Sequence, residues 1–74
     1  ANSDDSAALL RRADLHAEGG RFADAVADCR RAYAADRSAA VRNRLVAALL
    51  DAVRNGLPDA ASYDAELERL AAAE

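Results

Sequence analysis

The segment Leu9–Asp36, LLRRADLHAEGGRFADAVADCRRAYAAD, constrains the fold more than any other part of the chain. Two helical patterns of about a dozen residues each flank a Gly-Gly-Arg-Phe turn, and Ala stands where two facing helices would have to touch. The segment reads as a helical hairpin built for close packing. It does not read as a site built for chemistry.

Composition supports a helical class. Twenty-two of the 74 residues are Ala, with one Pro, three Gly and few β-branched or aromatic residues. Ala has the highest helix propensity and lets helix axes approach closely, so β-rich classes are excluded. At this length the chain is one small domain, residues 1–74, near the lower limit for folding unaided. All ten basic residues are Arg, and nine of the thirteen acids are Asp. With the Ala excess, this bias is that of a high-GC genome and points to a bacterial, actinobacterial source. The chain holds no Met, even at position 1, so a segment of a longer protein is expected.

The formal charge of −3 argues against nucleic-acid binding, which uses a basic stripe. Arg11–Arg12, Arg30–Arg31 and Arg42/Arg44 pair up, but acids are interspersed among them and predict a solvated, ion-paired surface. The lone Cys29 forms no internal disulfide, no apolar run spans a bilayer, and the N-terminus ANSDD is no signal peptide. A cytoplasmic protein with no membrane partner is the expectation.

The periodicity predicts four helices, at about 4–18, 22–35, 39–55 and 60–73. Ser3 is expected to cap the first, with Asp4 and Asp5 in its first turn. Leu9, Ala13 and His16 form its inward face, flanked by Leu10 and Leu15, and Gly19-Gly20 ends it. Phe22, Ala25, Val26, Cys29, Ala32 and Tyr33 form the inward stripe of the second, with Asp24, Asp28 and Arg31 outside it. Ser38 is the cap expected for the third helix. That helix is apolar nearly all round: Val41, Leu45, Ala48, Leu49 and Ala52 make one face, and Val46, Leu50 and Val53 a second. Such a helix is covered on more than one side. Asn55-Gly56 ends it, and Asp59 or Ser62 caps the fourth, whose inward residues are Leu67 and Leu70 with Tyr63 and Ala71. Short connections make consecutive helices antiparallel neighbours, giving two stacked hairpins, 6–37 and 39–73.

Self-comparison points to an internal repeat. A shift of 36 lays Leu9 on Leu45, Ala13 on Leu49 and Gly20 on Gly56. A shift of 38 lays Cys29 on Leu67 and Ala32 on Leu70, so the second turn is about two residues longer.

The succession Leu9, Ala13, Gly20, Phe22, Ala25, Val26 and Ala32 resembles one tetratricopeptide (TPR) repeat over residues 6–37. His16 stands where Tyr is commonest and Arg37 where a repeat often closes with Pro. The second hairpin departs further, with Pro58 in place of the aromatic. The resemblance implies a solenoid fragment whose partners bind a groove lined by the first helix of each hairpin. The best-known groove of that family holds a peptide carboxylate with a Lys/Asn/Arg clamp. This chain has no Lys, and Leu10 and Asp14 occupy the places that need Lys and Asn, so that ligand is not carried over. An Ala-rich four-helix bundle shares the same packing logic and stays open as an alternative.

Candidate chemistry is sparse. His16 is the only histidine and lacks companions at metal-ligand spacing, so neither metal nor cofactor is expected. Cys29 belongs to the apolar stripe, and only His16 could act as its base. Asp24 and Asp28, four apart, read as a solvated ion-pair face. A non-catalytic protein–protein interaction module is therefore expected. Its partner is another protein or another domain of the parent chain, with Arg12, Asn43 and Arg44 as polar contacts. Leu50, Val53 and Leu57 are apolar residues without evident internal partners in so short a chain, and such area marks an interface. A self-associating four-helix domain with a Leu50/Val53 seam, a homodimer, is the second expectation.

Overall fold

In the computed structural model, which describes residues 5–72, the chain forms four α-helices: α1 (Ser6–Glu18), α2 (Phe22–Ala35), α3 (Ala39–Arg54) and α4 (Ala60–Ala72). The described residues contain no strand. The fold is all-α and hairpin-built, as the periodicity predicts.

Helix ends explain the boundaries. The Asp5 carbonyl accepts the Leu9 N–H at 3.0 Å, and the Asp5 carboxylate accepts from the Ala7 N–H at 3.0 Å. Asp5 is thus the N-cap of α1 and does not sit in its first turn; the expected cap Ser3, with Asp4, lies outside the described residues. Ser38 caps α3 as expected, its hydroxyl accepting from the Val41 N–H at 3.4 Å. Asp36 braces that cap through its carboxylate, which accepts the Ser38 N–H at 3.0 Å. At α4 the Asp59 carbonyl accepts the Tyr63 N–H at 3.0 Å, which puts Asp59 at the N-cap position and Ser62 within the helix. The expected end of α4 at Ala73 lies outside the described residues.

The two hairpin turns are one structure used twice. The Gly20 N–H donates to the Ala17 carbonyl at 3.0 Å, and the Arg21 N–H to the His16 carbonyl at 2.7 Å. Thirty-six positions on, the Gly56 N–H donates to Val53 at 3.1 Å and the Leu57 N–H to Ala52 at 3.2 Å. Both are Schellman closures, with the second glycine left-handed at φ +80° for Gly20 and +73° for Gly56. The chain re-enters a helix at Phe22 after the first closure but only at Ala60 after the second. Leu57-Pro58-Asp59 supplies the extra two residues.

Consecutive helices pack pairwise, α1 on α2, α2 on α3 and α3 on α4, while α1 and α3 touch lightly. The layers form a slab of 35 × 31 × 14 Å. One core joins Ala13, Ala25, Val26, Cys29, Leu45, Leu49, Ala52, Tyr63 and Leu70. A satellite of Leu9, Ala32 and Val41 closes the end where α3 begins. Helix α3 therefore meets all three others, which accounts for its breadth of apolar surface.

Several expectations are corrected by this packing. Leu15, expected to flank the inward face of α1, is 62% exposed, because α1 has a close neighbour only on the α2 side. Val53 and Leu57 are half-buried against the core, so of the three residues expected to lack partners only Leu50, at 42% exposure, stands outside it. Asp28, read as solvated, is buried. Among the described residues, no helix is long and apolar enough to cross a membrane.

Candidate functional site

The first site to build is the one around Asp28, which is only 3% exposed and is the one buried charged residue among those described. Positions 25, 28, 29 and 32 recur at helical spacing, so Asp28 sits on the edge of the α2 stripe that faces α1. Across from it, Arg12 and His16 lie four apart on one face of α1. Arg12 donates from Nε to Asp28 Oδ2 at 3.2 Å and from Nη2 to Oδ1 at 3.0 Å. His16 Nε2 stands 3.3 Å from Oδ2. Donating to Asp28, and the charge of that carboxylate, raise the Arg12 guanidinium above its ordinary value. This is a fork-on-carboxylate clasp between α1 and α2, with its acid sealed and its base in solvent.

His16 is engaged with Asp28, while the neighbouring Cys29 lies in the core. Cys29 is 2% exposed in the core, and burial pushes its thiol above the usual range. No buried side-chain polar atom among the described residues lacks a partner, so no orphan group marks a reaction centre. No three metal-ligating side chains among the described residues gather to hold an ion.

The five residues expected at a partner surface fall in different places. Arg12 is spent on Asp28. Arg44 pairs with Asp14 across the α1–α3 seam. That pair stands at the rim of a groove of only about 60 Å³ walled by Ala13, Ala17, Ala47 and Ala48, where the TPR-like expectation puts a ligand. Asn43 is exposed and lines a different groove, of about 230 Å³, between α3 and α4. Leu50 and Val53 follow Asn43 at spacings of seven and ten along the same side of α3.

The α3–α4 side carries more information than its residues do singly. Under the 36-residue shift, Leu10, Asp14 and Ala17 of α1 become Val46, Leu50 and Val53 of α3. Under the 38-residue shift, Cys29, Ala32 and Tyr33 of α2 become Leu67, Leu70 and Ala71 of α4. The first set forms the seat that α3 covers, with Ala32 fully buried there and Asp14 paired to Arg44. The second set lines the α3–α4 groove through Val46, Leu67, Leu70 and Ala71, and no helix covers it among the described residues.

A fourth surface escapes sequence reasoning. Helices α2 and α4 do not approach backbone to backbone, and a cleft of about 320 Å³ lies between them. It is lined by Arg30, Tyr33 and Ala34 of α2, Arg37 of the link to α3, Leu45 of α3, and Glu66, Arg69 and Leu70 of α4. Arg30 donates from Nε to both Glu66 carboxylate oxygens, at 3.0 and 3.1 Å, and its guanidinium lies 5.7 Å from the Tyr63 ring centroid. The Glu66 hydrogen bond raises Arg30 above its ordinary value. The Arg37 guanidinium lies 4.7 Å over the Tyr33 ring. Only the seven-residue spacing of Arg30, on α2, and Arg37, just past its end, signals this cleft in the sequence.

No family model, curated protein or solved structure matches this chain. The arrangement of surfaces alone carries its functional reading.

Proposed function

We propose that the chain is a non-catalytic, TPR-like protein–protein interaction module that docks an amphipathic helix of a partner on its α3–α4 face. The observation that carries this reading is the duplicate seat. Val46, Leu50 and Val53 with Leu67, Leu70 and Ala71 repeat the residues on which α3 lies in the first hairpin, and among the described residues no further helix lies over them: Leu50 and Ala71 are exposed, and Val46, Leu67 and Leu70 line an open groove. A helix-in-groove partner is read through anchors at helical spacing. Here the anchors follow α3 itself, whose buried residues are Val41, Leu45, Leu49 and Ala52. Leu50 replaces Asp14, so the docked helix needs an apolar residue where α3 carries Arg44.

A non-catalytic role is supported by the confinement of Cys29 and by the commitment of His16 to Asp28. The Ala/Arg/Asp bias supports a bacterial source, and the lone Cys29 fits a cytoplasmic compartment. A peptide copy of residues 38–55 is a direct probe. It should bind the intact chain in a fluorescence titration, and Leu50→Asp should weaken it by at least about tenfold, the effect of about 1.4 kcal/mol. No binding, or equal binding to the variant, would sink the reading.

The 42% exposure of Leu50 also favours a second reading, self-association through the same face. Sedimentation at several concentrations separates the two. A monomer unchanged on dilution removes the dimer, whereas a dimer lost in Leu50→Asp establishes it.

A further inference from the structure

The cleft between α2 and α4 has a charge balance opposite to that of the molecule. The chain is −3 overall, yet three arginines and a single glutamate line this cleft. Arg30 and Glu66 satisfy each other through a fork, which leaves Arg37 and Arg69 as surplus cations. Among the described residues neither has an acidic partner, and Arg37 rests on the Tyr33 ring. The nearest acid in sequence to Arg37, Asp36, turns its Oδ1 to the Ser38 N–H. The floor is aliphatic: Leu45 and Leu70 are both buried beneath the cleft.

We propose that this cleft binds an acidic–aliphatic peptide segment of a partner protein, its carboxylate held between Arg37 and Arg69 and an adjacent Leu, Ile or Val side chain laid on Leu45 and Leu70. Guanidinium groups match carboxylates bidentately, and arginine clusters are a recurring reader of acidic motifs. The volume sits at the low end of ligand sites, which suits one or two side chains and excludes a large cofactor. A nucleic acid fits less well. Arg37 already lies over the Tyr33 ring and competes with a stacking base, and the acidic remainder of the surface repels a polyanion.

The inference does not rest on helix docking at the α3–α4 face: the two surfaces share only Leu70, and the arginines that carry this one, Arg37 and Arg69, lie outside that face. The test uses the full chain, isotope-labelled, titrated with an acetylated Glu-Glu-Leu-Leu peptide. Saturable shifts are expected at the amides of Tyr33, Arg37 and Leu70. Replacing the two acids of the peptide with Gln should weaken binding by about tenfold or more. Arg37→Gln and Arg69→Gln should each weaken it several-fold, and the double variant should abolish it. Both side chains are exposed, so the variants keep the fold, which their melting curves verify. Arg54→Gln removes an equal charge far from the cleft and leaves the affinity unchanged. Equal binding of the Gln peptide, undiminished binding by the double variant, or preference for a single-stranded oligonucleotide over the peptide would each overturn the proposal.

Discussion

Asp28 illustrates how a single buried carboxylate distributes risk unevenly between two partners. The acid is sealed, while the Arg12 side chain that clasps it is 59% exposed. Removing the arginine strands a buried charge; replacing the acid by a neutral amide only returns the arginine to water. Arg12→Ala should therefore destabilise more than Asp28→Asn, as read by the urea midpoints of the two variants. The reverse order would show that Asp28 is hydrated in solution. Cys29 makes a second test at this scale. Its thiol holds its proton more tightly in the folded chain than in the unfolded one. The stability it contributes is therefore fully present below the ordinary thiol value, about 8.5, and is lost as pH rises through the higher folded value. A thiol reagent at neutral pH should label Cys29 only through unfolding, at a rate that rises in step with urea. Cys29 was evident as core from its stripe. Asp28 was not, because spacing places it at the stripe's edge and only the Arg12/His16 pair on the neighbouring helix decides that it turns inward.

The helices themselves follow from local chemistry, and for that reason most of their ends were readable. Ser38, Gly20 and Gly56 act where turn and cap preferences put them, and Asp5 caps α1 because a carboxylate one place before a helix is a good N-cap. The paired glycines of the first turn separate cleanly by conformation. Gly20 is left-handed, and an added Cβ would meet nothing, so Gly20→Ala should cost only its backbone penalty, on the order of 1–2 kcal/mol. Gly19 has an ordinary φ of −85°, and a Cβ there would make normal contacts at 3.6 and 3.7 Å. Gly19→Ala should therefore be neutral or stabilising, by up to about 1 kcal/mol, through the unfolded state. Thermal melts of the two variants should move in different directions. Ala25, buried where α2 meets its neighbours, tests the packing between elements: Ala25→Leu should destabilise by about 1–3 kcal/mol through overpacking. Near-wild-type melting would mean that the crossing is looser than the Ala pattern implies.

At the scale of the molecule, arginine–carboxylate pairs among the described residues join different pairs of helices: Arg12–Asp28 links α1 to α2, Arg44–Asp14 links α3 to α1, and Arg30–Glu66 links α2 to α4. Single-helix patterns do not reveal such pairs, since each partner reads alone as a solvated charge. That is why the arginine cleft lay hidden in the sequence while the excess apolar surface of α3 did not. Helix α3 packs against each of the other three helices, so its neighbouring residues Leu49 and Leu50 should behave as opposites. Leu49 is 0% exposed, and Leu49→Ala removes methyl groups from the core that joins both hairpins. A cost of about 2–5 kcal/mol is expected, comparable to the whole stability of a domain this small. Leu50→Asp should leave the melting midpoint nearly unchanged, because that side chain contributes little to the core. The two tyrosines report on separate hairpins, Tyr33 on α2 and Tyr63 on α4, so Tyr33→Phe and Tyr63→Phe each leave one local fluorescence probe. If α3 couples the hairpins, both probes should lose their signal at one urea concentration, and Leu49→Ala should lower that midpoint equally for both. Separate midpoints would mean that the hairpins unfold independently, and that the seat covered by α3 is too weak a template for a partner helix on its duplicate.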